Sequence, residues 1–339
     1  MKIWILTSHF GSGHASAAKA LEELYRQKGH TVIVSDVVQL LYPKQAKRIY
    51  TIFSRVICGH SWLYNFLNHF GRQAYRNPRT APAIQKELDR IRPDRILTTW
   101  SGCGRKLGKL NIPVSVCITD LGVHTGWIYP RADSYMVAAE ESAEQLIRLG
   151  VPSEKIEVRG IPVREDFRNL PEKTQETGNL LIMGGGLGII PWLEELLQGL
   201  TKMSDLKITV ITGKNRTLYE KLKKEYPSVQ TTGFVNNIAD YLYRADFLIS
   251  KPGGISLFES IYAGTPYIAI NPAYQHELEN AGFIEKNEIG MVIRRGENAC
   301  RKITELLQDR QRCRTCRKNM AQMKQKVEQN RVMWEEYDD

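Results

Sequence analysis

The chain has 339 residues, 42% hydrophobic and 25% charged, with ordinary glycine and proline content, which excludes a disordered or fibrous protein and allows two domains of usual size. No apolar run approaches the roughly 20 residues needed to span a bilayer, and Met1–Ser8 is cut short by His9 and Gly11, so a buried strand is expected there rather than a signal peptide. The net charge of +10 is uneven: residues 1–165 hold 23 Lys/Arg against 14 Asp/Glu, and the remainder is nearly balanced.

In chain order, apolar runs at Ile3–Thr7, Thr31–Ser35, Arg95–Thr99, Val114–Thr119 and Ser134–Ala138 predict strands, with helices over Ser16–Gln27 and Ala83–Ile91. No carboxylate lies between Asp36 and Glu87, a window with eight basic residues and eight aromatics. Arg48, Arg55, Trp62, Tyr64, Phe66 and Arg72 in that window are expected to face an anionic membrane surface, with inward-packed aromatics as the alternative. No nucleic-acid-reading module is visible, so no nucleic-acid partner is expected. Pro162–Gly178 is polar and charged and reads as a linker, dividing residues 1–165 from 166–339. Beyond it, strands are predicted at Leu180–Met183, Lys207–Thr212, Phe247–Ser250 and Tyr267–Ile270. Helices are predicted near Trp192–Leu200, Leu218–Glu225, Ile238–Tyr243, Ser256–Ala263 and Glu277–Glu285. This alternation predicts an α/β protein of two Rossmann-like domains, each a parallel sheet covered on both faces, with ligands held between the carboxyl ends of the strands. Cys313 and Cys316 form a C-x-x-C in a Lys/Arg-rich helical stretch without a second pair or a histidine, so reduced thiols are expected rather than a zinc or redox site.

Three glycine-rich turns carry the chemistry. The first runs from Thr7 to His14, where Gly11 and Gly13 let the chain bend from strand to helix and leave helix amides free. A dinucleotide fingerprint needs glycine where Ser16 stands, although Asp36 could serve as its ribose acid. His14 opens the helix, as a base or as a satisfied cap. The second turn, Met183 to Gly188, has four glycines, among them Gly185 and Gly186, which suit either a diphosphate or close packing. The third is the longest: Ser250-Lys251-Pro-Gly253-Gly254-Ile-Ser256, with Glu259 one turn on, and then Asn271 through Asn280. Two glycines, a hydroxyl and a helix start suit phosphates, and the carboxylate suits a ribose.

The K-P-G-G-x-[ST]-x-x-E block resembles the donor site of a glycosyltransferase family that includes processive diacylglycerol glucosyltransferases and monogalactosyldiacylglycerol synthases, and more distantly the lipid II N-acetylglucosaminyltransferase. The resemblance extends to Gly11-Ser-Gly-His14, Thr119 to Trp127, Val158 to Val163, Gly213-Lys214-Asn215 and Gly233-Phe234-Val235. It implies a GT-B fold and a UDP-sugar donor turned over with inversion, without metal or other cofactor; no D-x-D motif occurs. It further implies a donor set of Gly13, Gly185, Gly186, Lys214, Asn215, Phe234, Val235, Lys251, Gly253, Gly254, Ser256, Glu259, His276, Glu277, Glu279 and Asn280. Phe234 and Val235 would meet uracil, Glu259 the ribose, and the last four the sugar and ribose. Two departures stand out. The glycolipid synthases usually read P-G-Q-E where this chain has Tyr274-Gln275-His276-Glu277, and they carry Asp or Asn where it has His9.

In an inverting transfer a base removes the acceptor's hydroxyl proton, and a neutral imidazole suits this near neutral pH. His14 is expected to be that base and His9 its reserve. Asp120 is expected to orient the imidazole or to cap a turn, with His124 and Trp127 beside the acceptor. The expected function is therefore hexose transfer from a UDP-sugar to a lipid acceptor such as diacylglycerol, at the cytoplasmic face of the membrane. A soluble acceptor, a non-catalytic UDP-sugar sensor and a UDP-sugar epimerase of the same fold are the alternatives.

Overall fold

A computed structural model describes residues 1–59, 80–173 and 177–335. The expectations for Trp62, Tyr64, Phe66 and Arg72 lie outside those residues, as does the side chain of Arg55. The chain folds as two units, residues 1–165 together with the stretch from Trp334, and residues 166–333.

In the first unit, β1 (Lys2–Thr7), β2 (Thr31–Asp36), β3 (Arg95–Thr98), β4 (Val114–Cys117), β5 (Ser134–Val137) and β6 (Ile156–Val158) form one sheet in the order β2-β1-β3-β4-β5-β6. Every pairing is parallel. Ile3, Trp4, Ile5 and Leu6 are all fully buried in succession, which requires cover on both faces rather than one. Helix Gly13–Gln27 buries Ala17, Ala18, Leu21 and Tyr25 against one face. On the other face, Ile84, Leu88 and Ile91 of helix Pro82–Ile91 pack with Trp4, Leu6 and Ile96. Each such aliphatic side chain contributes roughly 1.5–3 kcal/mol.

The second unit repeats the design. Its strands β7 (Asn179–Met183), β8 (Lys207–Ile211), β9 (Gln230–Thr232), β10 (Phe247–Ser250), β11 (Tyr267–Ile270) and β12 (Gly290–Ile293) lie parallel in the order β12-β11-β10-β7-β8-β9. Counted within the unit, this is the strand order 6-5-4-1-2-3 of a dinucleotide-binding fold, whose direction of winding reverses between β7 and β10. The predicted α/β class with two Rossmann-like sheets is thus the observed one. Three strands were not predicted: β6 and β9 have three residues each, and β12 opens on a glycine. Helices Val37–Leu41, Glu140–Arg148 and Ala299–Gln308 are likewise additions, and the chain ends in the long basic helix Arg310–Glu335. No helix among the described residues is long and apolar enough to cross a membrane. Cys313 and Cys316 are buried on that last helix as free thiols.

Candidate active site

In the first unit the winding reverses between β1 and β3, and the loops leaving β1 and β4 carry the candidate acceptor residues. After β1, Gly11 takes a positive φ of 83°, which glycine adopts without strain. The helix then starts at Gly13, and its N-cap residue Ser12 makes no side-chain cap hydrogen bond. His14 is half-buried in that turn. Its Nδ1 lies 2.9 Å from Thr119 Oγ1, and its carbonyl accepts from Thr99 Oγ1 at 3.0 Å. We assign Nδ1–H as the donor to Thr119, the tautomer in which Nε2 keeps its lone pair. The orienting contact expected from Asp120 is therefore made by the residue before it. Asp120 makes no hydrogen bond or ion pair with a described residue; Thr119, buried after β4, is the side chain turned toward the imidazole.

Trp127 is buried, with its ring centroid 6.3 Å from that of His14 and 6.2 Å from that of His124. His124 caps the short helix Thr125–Trp127, its Nδ1 accepting from the Gly126 amide at 3.1 Å. Trp127 Nε1 finds no acceptor among the described residues. His14, His124, Trp127 and Thr119 thus form one group. His9 belongs to another. Its Nδ1 pairs with Asp36, which also accepts from Tyr50 Oη at 2.7 Å and the Gln39 amide at 2.9 Å. Burial opposes the ionisation of Asp36, but the bonds from Tyr50, His9 and Gln39 outweigh it and hold the carboxyl below its ordinary value. Asp36 is committed to protein partners, which disfavours its reading as a ribose acid.

In the second unit, the loops after β7 and β10 flank the reversal point. Helix Gly254–Ala263 starts after Gly253 without a side-chain cap. Ser256 Oγ donates to the Gly253 carbonyl at 3.0 Å and lies 3.0 Å from Tyr267 Oη, so its hydroxyl must leave an internal partner to reach a phosphate. Glu259 is buried one turn on. Asn280 is buried and donates to the Pro252 carbonyl at 2.9 Å, clamping the Lys251–Gly254 loop from below. Glu277, also buried, accepts from the Ala273 and Tyr274 amides and pairs with Lys251 at 3.5 Å. Lys251 Nζ sits 5.6 Å over the Tyr274 ring, which stacks on His276 within 6° of parallel. Glu279 accepts from Gln275 at 3.0 Å.

The glycine turn after β7 is packed against its neighbour. A Cβ on Gly188 would lie 1.9 Å from the Thr212 carbonyl oxygen, and one on Gly213 within 2.8 Å of the carbonyls of Gly185 and Gly186. Asn215 caps its own helix, accepting from the Leu218 amide at 3.0 Å, and donates to the Gly188 carbonyl at 3.3 Å. Lys214 Nζ lies 5.7 Å over the exposed Phe234 ring, next to Val235. No group of three or more His, Cys, Asp or Glu suited to a metal occurs among the described residues.

Residues 14–163 match the monogalactosyldiacylglycerol (MGDG) synthase family, and residues 179–334 the glycosyltransferase family 28 C-terminal domain. The chain is 31% identical to the processive diacylglycerol beta-glucosyltransferase of Bacillus cereus strain AH187, the match covering 91% of this chain and 86% of that protein. It is 32% identical, with the same coverage, to the protein so named from strain B4264. The chain belongs to this glycosyltransferase family. The crystal structure of Acinetobacter baumannii MurG has a similar fold, with TM-score 0.61 at 15% identity over 96% of this chain and 94% of that one. Within this glycosyltransferase, sequence reading passed over Thr119 and Tyr50, and it gave Asp36 a ribose-binding use rather than its bonds to Tyr50 and His9. Thr119 had a signal, standing between a buried strand and the singled-out Asp120; Tyr50 had none beyond its place in the basic aromatic window.

Proposed function

We propose that this glycosyltransferase moves a hexose from a UDP-sugar to a membrane lipid such as diacylglycerol, in one inverting step without a metal. The observation that carries the chemistry is the imidazole of His14, set by Thr119 at the start of an uncapped helix. His14 Nε2 takes the proton of the acceptor hydroxyl as that oxygen bonds to the anomeric carbon and UDP departs. Charge developing on the leaving diphosphate is met by first-turn amides of helix 254–263, where no side-chain cap competes. Glu259 binds the ribose, and Phe234 and Val235 the uracil. Glu279 and His276 read the sugar, while Glu277 and Asn280 hold the loop that does so. The relatives' names support a lipid acceptor and a glucosyl donor.

The exposed side chains of Tyr42, Lys44, Lys47, Arg48 and Ile52 support docking on an anionic membrane surface, the protein lying peripherally on the cytoplasmic face. Incubating the protein with UDP-hexoses and diacylglycerol vesicles tests the proposal. Release of UDP only when both substrates are present is expected. UDP release with soluble acceptors alone, or binding of UDP-sugar with no transfer to any acceptor, would overturn it.

A further inference from the structure

Four hydrogen bonds converge on one carboxylate away from His14. Asp36, at the end of β2, accepts from the His9 ring, from Tyr50 Oη with both oxygens and from the Gln39 amide, and the His9 amide in turn donates to Tyr50 Oη at 3.1 Å. Only the Gln39 contact serves the local helix cap. The others join two segments remote in sequence: the loop from Thr7 to His14, and helix Ala46–Gly59. Next to this polar hub lies an aromatic one. The Phe10 ring meets Tyr50 at 5.0 Å, Phe53 at 4.6 Å and Trp100 at 5.4 Å between centroids. Trp100 follows Thr99, which bonds the His14 carbonyl, and Gly102 leaves room for its indole, since a Cβ there would fall 2.4 Å from the ring.

Tyr50 and Phe53 are three residues apart and share one helix face. Lys47, Arg48, Thr51 and Ile52 are exposed on the same helix. One side is therefore fastened to the loop of the base and the other offered to solvent. Apolar packing alone would have held the helix without the cost of burying a carboxylate; what the carboxylate adds is a fixed direction and register.

We propose that Asp36, through Tyr50 and His9, is a positioning residue for the acceptor: it locks helix 46–59 to the His14 loop, so that a lipid docked on that helix presents its hydroxyl at a set distance from the imidazole. This rests on the glycosyltransferase reading above. The test uses full-length Asp36→Asn and Tyr50→Phe; the second keeps the ring on Phe10 and so guards against simple misfolding. Loss of hydrogen bonds to a charged group is expected to speed amide exchange in residues 47–53 by about tenfold, and to lower kcat/KM for diacylglycerol in vesicles by about tenfold, with UDP affinity changed by less than about twofold. Unchanged exchange, wild-type acceptor kinetics, or an equal loss of UDP affinity would overturn the proposal. A wild-type protein that transfers no sugar would instead sink the glycosyltransferase reading.

Discussion

At the scale of single residues, the proposed base and its partner differ in how far the sequence showed them. His14 stood out because it opens the helix after Gly-x-Gly, where the sequence left both a base and a cap open. Its partner did not, because which of two consecutive residues after a strand turns inward depends on packing that sequence spacing does not encode; Thr119 does so, and Asp120 does not. Thr119→Val is expected to reduce kcat by about tenfold, the value of one hydrogen bond near 1.4 kcal/mol, with UDP affinity unchanged by calorimetry. Glu277 and Asn280 were read as sugar ligands, yet both are buried and satisfied within the protein. Glu277→Ala, which strips Lys251 of its partner and frees two amides, is expected to lower stability by about 1–3 kcal/mol in thermal melts, besides any effect on turnover. A variant melting like the wild type would return Glu277 to the role of a free sugar ligand.

At the scale of elements, several of the strands that sequence revealed hold four consecutive apolar residues, such as Ile3–Leu6 and Tyr267–Ile270. Three of the four edge strands were missed, among them β9, Gln-Thr-Thr, which has no apolar residue, and β6, which places Glu157 at its centre. Glycine turns were visible, but their purpose was mixed. Gly188, with φ of 65° and the Thr212 carbonyl against it, is required by packing between two loops, whereas Gly253, three residues past β10, caps a helix start without a side chain. The junction of β2, helix 37–41 and helix 46–59 at Asp36 has a pH signature. Its carboxyl is held below the ordinary 3.8, so the folded state favours the ionised form; that contribution is complete above this value and is lost as pH falls through the folded pKa. Asp36→Asn is therefore expected to cost stability at neutral pH, and the gap from wild type to narrow below about pH 4 in denaturant titrations. A gap constant down to pH 2 would contradict the charged hub.

At the scale of the whole molecule, the uneven charge was the clearest sign of division of labour: the first 165 residues carry nearly all the excess of +10. Helix Ala46–Gly59 exposes Lys47, Arg48 and Ile52, which supports the proposed contact with an anionic surface. Binding to vesicles containing anionic lipid is expected to weaken steeply as salt rises from about 0.05 to 0.5 M, since screening shortens to a few ångströms; salt-independent binding would contradict an electrostatic contribution. The two-sheet plan was legible because each sheet restarts with an apolar strand and a glycine turn.

In the proposed reaction His14 drives a lipid hydroxyl onto the sugar of a UDP-hexose. Mass spectrometry of lipids recovered after incubating diacylglycerol vesicles with UDP-hexoses and either wild-type protein or His14→Ala tests this. Hexosyl-diacylglycerol from the wild type, and none from a variant that still binds UDP, is the predicted result. Equal product from both proteins, or none from the wild type, would contradict it.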